Sequence, residues 1–555
     1  MNPTDTERIR RREKVVPDRV PGFIERWGRG PFVASAIVLW GAIAILAALW
    51  DSRWWWIAIL AGPYTIAGFH DMIQRAHAIR RNFPVLGRMR YVLESLRPEV
   101  RQYFIESDQE ETPFSREKRA IVYSRAKHEL STLPFGTQRD AYRIGYEWIN
   151  HSLNPKVSPS VEDACAYRVP VGTGRCTQPY AASLLNVSAM SFGALSDRAI
   201  IALNRAARKG GFYHNTGEGS ISPYHRQGGD LVWQIGTGYF GCRTLDGRFD
   251  RKMFAAKAAL PEVKMIEIKL SQGAKPGHGG ILPGAKVTPE IAEIRGVPVG
   301  QDVVSPPGHT AFSGGEGLLE FIADLRDLSG GKPVGFKLCV GSPVEFLALV
   351  RLMDRTGLVP DFITVDGTEG GTGAAPLEFA NSVGMPLVEG LAFVHNALTG
   401  AGLRDQIRLI AAGKLTTGFH VLKLLALGAD FCNAARPMMF ALGCIQALKC
   451  NSNHCPVGVA TQNPKLVAGL DIENRTERVY NFQRETVHSV FELLAAAGLD
   501  APDQLTPHHV YRRIATAKIV SFASLYPPIE PRSLVDGKAS DHWRTWWEVA
   551  ARERV

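Results

Sequence analysis

The sequence predicts an α/β protein, a (β/α)8 TIM-type barrel preceded by an N-terminal transmembrane helical hairpin and a helical segment. Three observations carry this. Over residues 186–437, short apolar runs closing on Gly or a polar residue alternate with helical stretches, the pattern of a parallel sheet with crossover helices. The residues that end those runs, Lys269, Lys337, Asp366, Gly413 and Ala434, suit a site built at the carboxyl face of a barrel. Near the start, residues 31–50 and 54–69 carry no charge and stand between basic clusters.

Residues 1–30 form a basic leader, expected to be cytoplasmic, with Arg8, Arg10, Arg11, Arg12 and Lys14 close together. Residues 31–70 then read as two transmembrane helices. At about 1.5 Å per residue the first uncharged run crosses a hydrocarbon core of about 30 Å, whereas the second needs its flanks or a tilt. Trp50, Trp54, Trp55 and Trp56 surround the connection Asp51-Ser52-Arg53 as an interfacial belt would. Arg80, Arg81, Arg88 and Arg90 guard the far side. Basic residues outside and a single Arg in the turn place both ends in the cytoplasm. The expectation is therefore a multi-pass protein of the cytoplasmic (inner) membrane, its catalytic domain facing the cytoplasm and the lipid bilayer a partner. A buried core hairpin is the competing reading. A cleavable signal peptide fits poorly, because a second apolar run follows the first.

The net charge of +10 belongs largely to these flanks, so no nucleic-acid partner is expected. Cys165, Cys176, Cys242, Cys339 and Cys432 lack framework spacing, which argues for a reducing compartment. Residues 71–164 read as a helical connecting region, with an exposed break over 106–113. Residues 165–480 hold the barrel, with strands expected at 185–189, 265–270, 334–338, 362–365, 407–411 and 431–434. Residues 481–555 read as a C-terminal helical extension. A doubly wound sheet also gathers ligands at its carboxyl edge, and no G-x-G-x-x-G after a first strand favours one.

The chemistry concentrates at the strand ends. Gly370, Gly371 and Thr372, in Glu369-Gly-Gly-Thr-Gly-Ala374, let backbone amides approach an anion, as a phosphate requires. Gly413 and Lys414 repeat the device after the next run, and Arg436 could add a bidentate contact. Each loop alone is more often a plain turn; two in succession point to a phosphorylated ligand. The stretch Lys269-Leu-Ser-Gln272-Gly-Ala-Lys275-Pro-Gly-His-Gly-Gly280, followed by Arg295, sets three cations near one loop, suited to a substrate with two carboxylates. The competing reading is a solvated basic loop. Ser191 and Glu218 lie at two further strand ends, where capping or turn roles compete. Cys444, Cys450 and Cys455 are spaced C-x5-C-x4-C before Pro456. Soft thiolates select iron–sulfur or zinc; three local ligands without a fourth favour a cluster lacking one iron corner, against a zinc completed by His454 or three free thiols.

The runs K-L-S-Q-G-A-K-P-G-H-G-G at 269–280, S-P-P at 305–307, G-G-T-G-A-A-P at 370–376 and G-C-I-x3-K-C-x4-C-P-V-G-V-A-T-Q at 443–462 resemble the FMN-binding synthase domain of glutamate synthase, over roughly residues 165–480. The resemblance implies a (β/α)8 barrel with FMN at its mouth, a [3Fe–4S] cluster on Cys444, Cys450 and Cys455, and 2-oxoglutarate near the flavin. It implies catalytic roles for Lys269, Glu218 and Gln272, substrate binding by Lys275, Arg295 and Gln272, and cofactor binding by Ser191, Lys337, Asp366, Gly370, Gly371, Thr372, Gly413, Lys414 and Arg436.

The expected reaction reduces the imine formed from a 2-oxo acid and ammonia or an amine, with electrons from a ferredoxin, a reductase subunit or the quinone pool. A homo-oligomer is compatible with this. The chain reads as a membrane-anchored variant lacking the glutaminase domain, so glutamine hydrolysis is not expected of it. Val365-Asp366-Gly367-Thr368-Glu369 stands where the family more usually has S-G-H-D. A dehydrogenase feeding membrane quinone and a non-catalytic membrane scaffold are the rival readings.

Overall fold

The computed structural model describes residues 27–74, 76–109, 112–129 and 132–553. The expected leader, through residue 26, lies outside the described residues. The chain divides into two compact units, Met1–Glu111 and Thr112–Val555, and the division falls inside the break read at 106–113.

In the second unit eight parallel strands close into a barrel, which decides against a doubly wound sheet. They are β1 (Leu185–Val187), β2 (His214–Asn215), β3 (Leu231–Ile235), β4 (Val263–Lys269), β5 (Val334–Cys339), β6 (Phe362–Asp366), β7 (Arg408–Ala412) and β8 (Phe431–Ala434). The ring closes where Ala434 pairs with Val187. β3 and β6 are buried along their whole length, as strands covered on both faces must be. The six expected strands are present with ends shifted by up to two residues. β2 has two residues, too few for any periodicity, and β3 is an apolar run interrupted by Gln234, whose side chain donates to buried Glu267 at 2.7 Å.

Helices sheath the barrel. Asp197–Gly210 shows how the sequence writes one: Ser196 caps it, Ile200, Leu203, Ala206 and Ala207 are buried on one side, and Gly211 ends it in the left-handed conformation. Ile472–Ala496 packs against Asp197–Gly210 and Gly418–Ala426, so the outer ring runs past the boundary expected at 480. The flanking regions are also less helical than their composition suggests. Glu147–Ile149 pairs with Val510–Ala515, which pairs with Lys518–Ser521, giving a three-stranded antiparallel sheet. Partners hundreds of residues apart hold it: Glu147 accepts from Arg512 at 2.5 Å and Lys423 at 2.9 Å, and Trp148 stacks on Tyr511.

In the first unit, Arg29–Leu49 and Ala58–Ile73 lie side by side. Phe32 meets Tyr64 and Phe69, Ser35 bonds Tyr64 at 2.6 Å, and Trp40 donates to Thr65 at 2.9 Å. Gly68 makes the approach feasible, since a Cβ there would lie 1.9 Å from the Phe32 ring. Among the described residues only Arg29–Leu49 is long and apolar enough to cross a membrane. The second helix has 16 residues and reaches buried Asp71, which Arg80 and Arg88 each hold at 2.7 Å.

Candidate active site

The carboxyl ends of the strands and the loops beyond them enclose a cavity of about 770 Å³, the position expected in a barrel of this type. Ser191, Glu218, Gln272, Lys275, Arg295, Gly370, Gly371, Thr372, Lys414, Arg436 and all three cysteines line it. Lys269, Lys337, Asp366 and Gly413 stand behind the wall.

Glu218, in the loop after β2, accepts from Lys269 Nζ, the last residue of β4, at 2.7 Å. A Cβ at Gly236 or Gly280 would come within 2.3 Å of its carboxylate, so both glycines make its room. Burial works against the charge on Glu218, but Lys269, then Lys275 and Arg295, overcome it and hold the carboxyl below its usual range. Lys337 and Asp366 form a second enclosed pair at 3.1 Å. Burial opposes the Lys337 charge, and Asp366 with Glu267 outweighs it, so the ammonium is held above its ordinary value. Asp366 also accepts from Gly273 N at 3.0 Å, tying the loop after β4 to the end of β6.

Lys275, Arg295, Lys414 and Arg436 have no such partner. Among the described residues none of the four sits in an ion pair. Lys275 donates to the Ala374 carbonyl at 3.0 Å, and burial, aided by Lys269, lowers it to about 8. Arg295 donates to Ser191 at 3.3 Å and to the Phe192 carbonyl at 2.9 Å. Its Nε is buried without a partner, and its guanidinium lies 5.4 Å from the Phe240 ring. Burial and neighbouring Arg436 lower Lys414 to about 8. Arg436 donates to the Glu369 carbonyl and, like Lys414, faces the ring of Phe114.

A Cβ at Gly371 would sit 2.5 Å from Arg436 Nε. Bare backbone beside two half-buried cations that no carboxylate pairs is a cradle for an anion such as a phosphate. Thr372 accepts from Gln272 at 3.4 Å, joining this cradle to the β4 loop. Gly413 itself packs on Leu387 rather than on the cavity. The Asp366–Glu369 departure has a structural use: Glu369 accepts from Leu387 N at 3.1 Å and Thr368 donates to the Val383 carbonyl at 2.7 Å, pinning the segment that covers the cavity.

Cys444, Cys450 and Cys455 are free thiols in one loop; burial, then Cys450 and Cys455, pushes the Cys444 thiol up to about 12, and burial, then Cys455, raises Cys450. Among the described residues no set of three acidic, His or Cys side chains is gathered round a single-ion position, and His454 is exposed. A multi-iron cluster spreads its thiolates over separate iron atoms, so they need not meet at a point, and all three cysteines line the same cavity.

The loop is braced by residues the sequence reading passed over. Phe114 and Gln446 exchange two 3.2 Å hydrogen bonds, and Tyr123 donates to the Cys444 carbonyl at 2.6 Å. Lys286 donates to the Ala194 carbonyl at 3.0 Å, and burial lowers it to about 8 despite the nearby Cys450 and Cys455. His309, bonded to the Lys269 carbonyl at 2.9 Å and Tyr239 at 3.0 Å, and Glu267 were missed too. Glu267 is buried in the barrel and accepts from Asn215, Gln234 and Thr364 at 2.6–2.8 Å. Only Glu267, a lone carboxylate inside an apolar run, carries a local signal.

Residues 168–500 match the conserved region in glutamate synthase. The glutamate synthase large subunit-like protein YerD of Bacillus subtilis (strain 168) is 39% identical over 511 residues, covering 84% of this chain and 97% of that one. The archaeal-type glutamate synthase (NADPH) of Thermotoga neapolitana is 36% identical over 320 residues, 57% of this chain and 60% of that one. The glutamate synthase (NADPH) large chain of Bacillus subtilis is 35% identical over 324 residues, of which this chain spans 20%. With the barrel, the lysine loop and the cysteine loop all inside the matched region, the chain belongs to the glutamate synthase family.

Proposed function

We propose that the protein is an FMN- and [3Fe–4S]-dependent oxidoreductase of the glutamate synthase type, which makes an amino acid from a 2-oxo acid, 2-oxoglutarate by preference, and ammonia or an amine. The observation that carries this is the single cavity that joins an anion cradle, two further buried cations and three thiols. The acid and the nitrogen compound condense to an imine with loss of water, and two electrons and two protons complete the product. Bound FMN supplies hydride chemistry and the cluster one-electron exchange.

The remainder is the work of this chain's residues. Gly370, Gly371 and Thr372 with Lys414 and Arg436 would hold the FMN phosphate, and Cys444, Cys450 and Cys455 the cluster. Lys275 and Arg295 would orient the two carboxylates of the oxo acid, in a site screened enough for their charges to count. Glu218, its Oε1 engaged by Lys269, keeps Oε2 for a hydrogen bond from the incoming nitrogen. Gln272 braces Thr372 and can reach the substrate from the same loop.

The apolar helix Arg29–Leu49, about 31 Å long at 1.5 Å per residue, supports anchorage in a membrane; the basic flanks of the apolar runs favour the cytoplasmic side for the barrel. The helix also favours one rival, a dehydrogenase passing electrons to quinone. Anaerobically purified protein should contain flavin, iron and sulfide, and its flavin should be reoxidised by 2-oxoglutarate with ammonia. Reoxidation by a quinone analogue alone would support the rival, and colourless protein would leave only a scaffold.

A further inference from the structure

Among the described residues the helical stretch Leu86–Val100, continued by Arg101–Ile105, has no apolar partner for its apolar face. Met89, Val92, Leu93, Leu96 and Val100 are 43–61% exposed, and Tyr103 and Phe104 are 60% and 85% exposed. At 3.6 residues per turn the five in Leu86–Val100 fall within roughly 100° of the circumference, and the wider π-helical turn Arg101–Ile105 that follows carries exposed Tyr103, Phe104 and Ile105. Arg97, Arg101 and Arg90, which pairs with Glu94 at 3.2 Å, come next on one border of that stripe; Glu99 lies on the other border, and Ser95 lies about 60° beyond that edge. A globular protein in water does not leave such a stripe bare without a use.

The geometry points to an in-plane membrane helix: residues 86–105 lie on the lipid surface, with the stripe seated at the acyl boundary and the bordering arginines against anionic headgroups. The combination of an apolar face, aromatic residues and cations at the border is what the interface selects, and long arginine stems let the charge stay in the headgroup layer. The placement is fixed by the fold of the first unit. Asp71, at the end of Ala58–Ile73, holds Arg88 at 2.7 Å and Arg80 at 2.7 Å, and Tyr91 packs on His77. The helix is thus tied to the base of the apolar pair. Gly87 lets the two segments touch, since a Cβ there would lie 2.9 Å from the Arg80 backbone. The inference rests on the anchorage proposed above and adds a second, surface-lying contact, with a lipid preference the hairpin alone would lack.

The test uses the full chain reconstituted in vesicles of phosphatidylethanolamine and phosphatidylglycerol. Leu93, Phe104 or Ser95 is replaced, one at a time, by photoreactive benzoylphenylalanine. Illumination should give roughly fivefold more lipid adduct at 93 and 104 than at 95. Exchanging phosphatidylglycerol for phosphatidylcholine should lower the yield at 93 and 104; an unchanged yield would overturn the role given to Arg90, Arg97 and Arg101. Adducts to a second copy of the chain, or equal yields at all three positions, overturn the in-plane helix. Carbonate washing separates the two readings. Release of the protein by the wash defeats the spanning hairpin, while lipid adducts formed before the wash still report the surface helix.

Discussion

Lys269 donates to Glu218 at 2.7 Å across the mouth of the barrel. The lysine ends β4 and the carboxylate belongs to the loop after β2, so one bond joins two strand ends that β3 separates. Both side chains are nearly enclosed, 7% and 18% exposed. An enclosed pair contributes little net stability when intact, but losing one partner strands a charge.

Lys269→Met should therefore destabilise the fold by about 3–5 kcal/mol, and Glu218→Gln added to it should restore part of the loss. Urea unfolding of the two single variants and the double variant measures the coupling; strictly additive losses would refute it. The pH dependence has a defined sign. Glu218 is held below its ordinary value of 4.5, so its contribution is present above that pH and fades as pH falls through the folded value. In Lys269→Met the carboxyl keeps only Lys275 and Arg295 nearby, and protonation should begin at higher pH.

Lys275 titrates near pH 8 because burial, then Lys269, disfavour its charge. Its ammonium is the form that binds a carboxylate, so kcat/KM for the oxo acid should fall as pH rises through about 8. Lys275→Ala should lower kcat/KM by about tenfold to a hundredfold, the equivalent of ~1.5–3 kcal/mol for a charged hydrogen bond. It should also remove the step near pH 8 while leaving flavin bound. A variant that keeps the alkaline step would transfer it to another group, with Lys414 the next to examine.

Cys450→Ser should abolish the acid-labile sulfide and most of the iron of anaerobically purified protein, because a cluster held at three corners does not survive the loss of one. Cys165→Ser is the comparison, its thiol lying against the Arg484 carbonyl away from the cavity. Flavin content should be equal in both. Iron and sulfide unchanged in Cys450→Ser would exclude the cluster from this loop.

Much of the barrel was legible because its strands are buried on both faces and so read as continuous apolar runs ended by Gly or charge. β2 escaped because two residues, His214 and Asn215, have no period. The strand Glu147–Ile149 escaped because its pairing partner lies more than 360 residues away. At the cavity, Gly371, Lys275 and Arg295, which line it, stood out in the sequence by their glycine and charge pattern. Residues that serve by bracing did not: Phe114 follows what reads as an exposed break, and only the fold brings it to Gln446 and under Arg436. Lys337 and Asp366 were legible as strand-end residues, while their mutual pairing behind the wall was not.

Gly371 offers the sharpest test of the phosphate cradle. A Cβ at 371 would meet Arg436 Nε at 2.5 Å and Cδ at 2.7 Å. Arg436 has little freedom to yield, being held by the Glu369 carbonyl and the Phe114 ring, 4.8 Å from its guanidinium. Gly371→Ala should therefore displace the guanidinium and close the backbone approach together, weakening FMN by about tenfold to a hundredfold, or ~1.4–2.8 kcal/mol. Riboflavin, which lacks the phosphate, should bind the variant and the parent alike. Arg436→Met should repeat the pattern, and the two changes combined should cost less than their sum, because both remove the same contact. Flavin fluorescence quenching on deflavinated protein reads the FMN and riboflavin affinities of the parent and of each variant. Equal weakening of FMN and riboflavin would place the phosphate elsewhere.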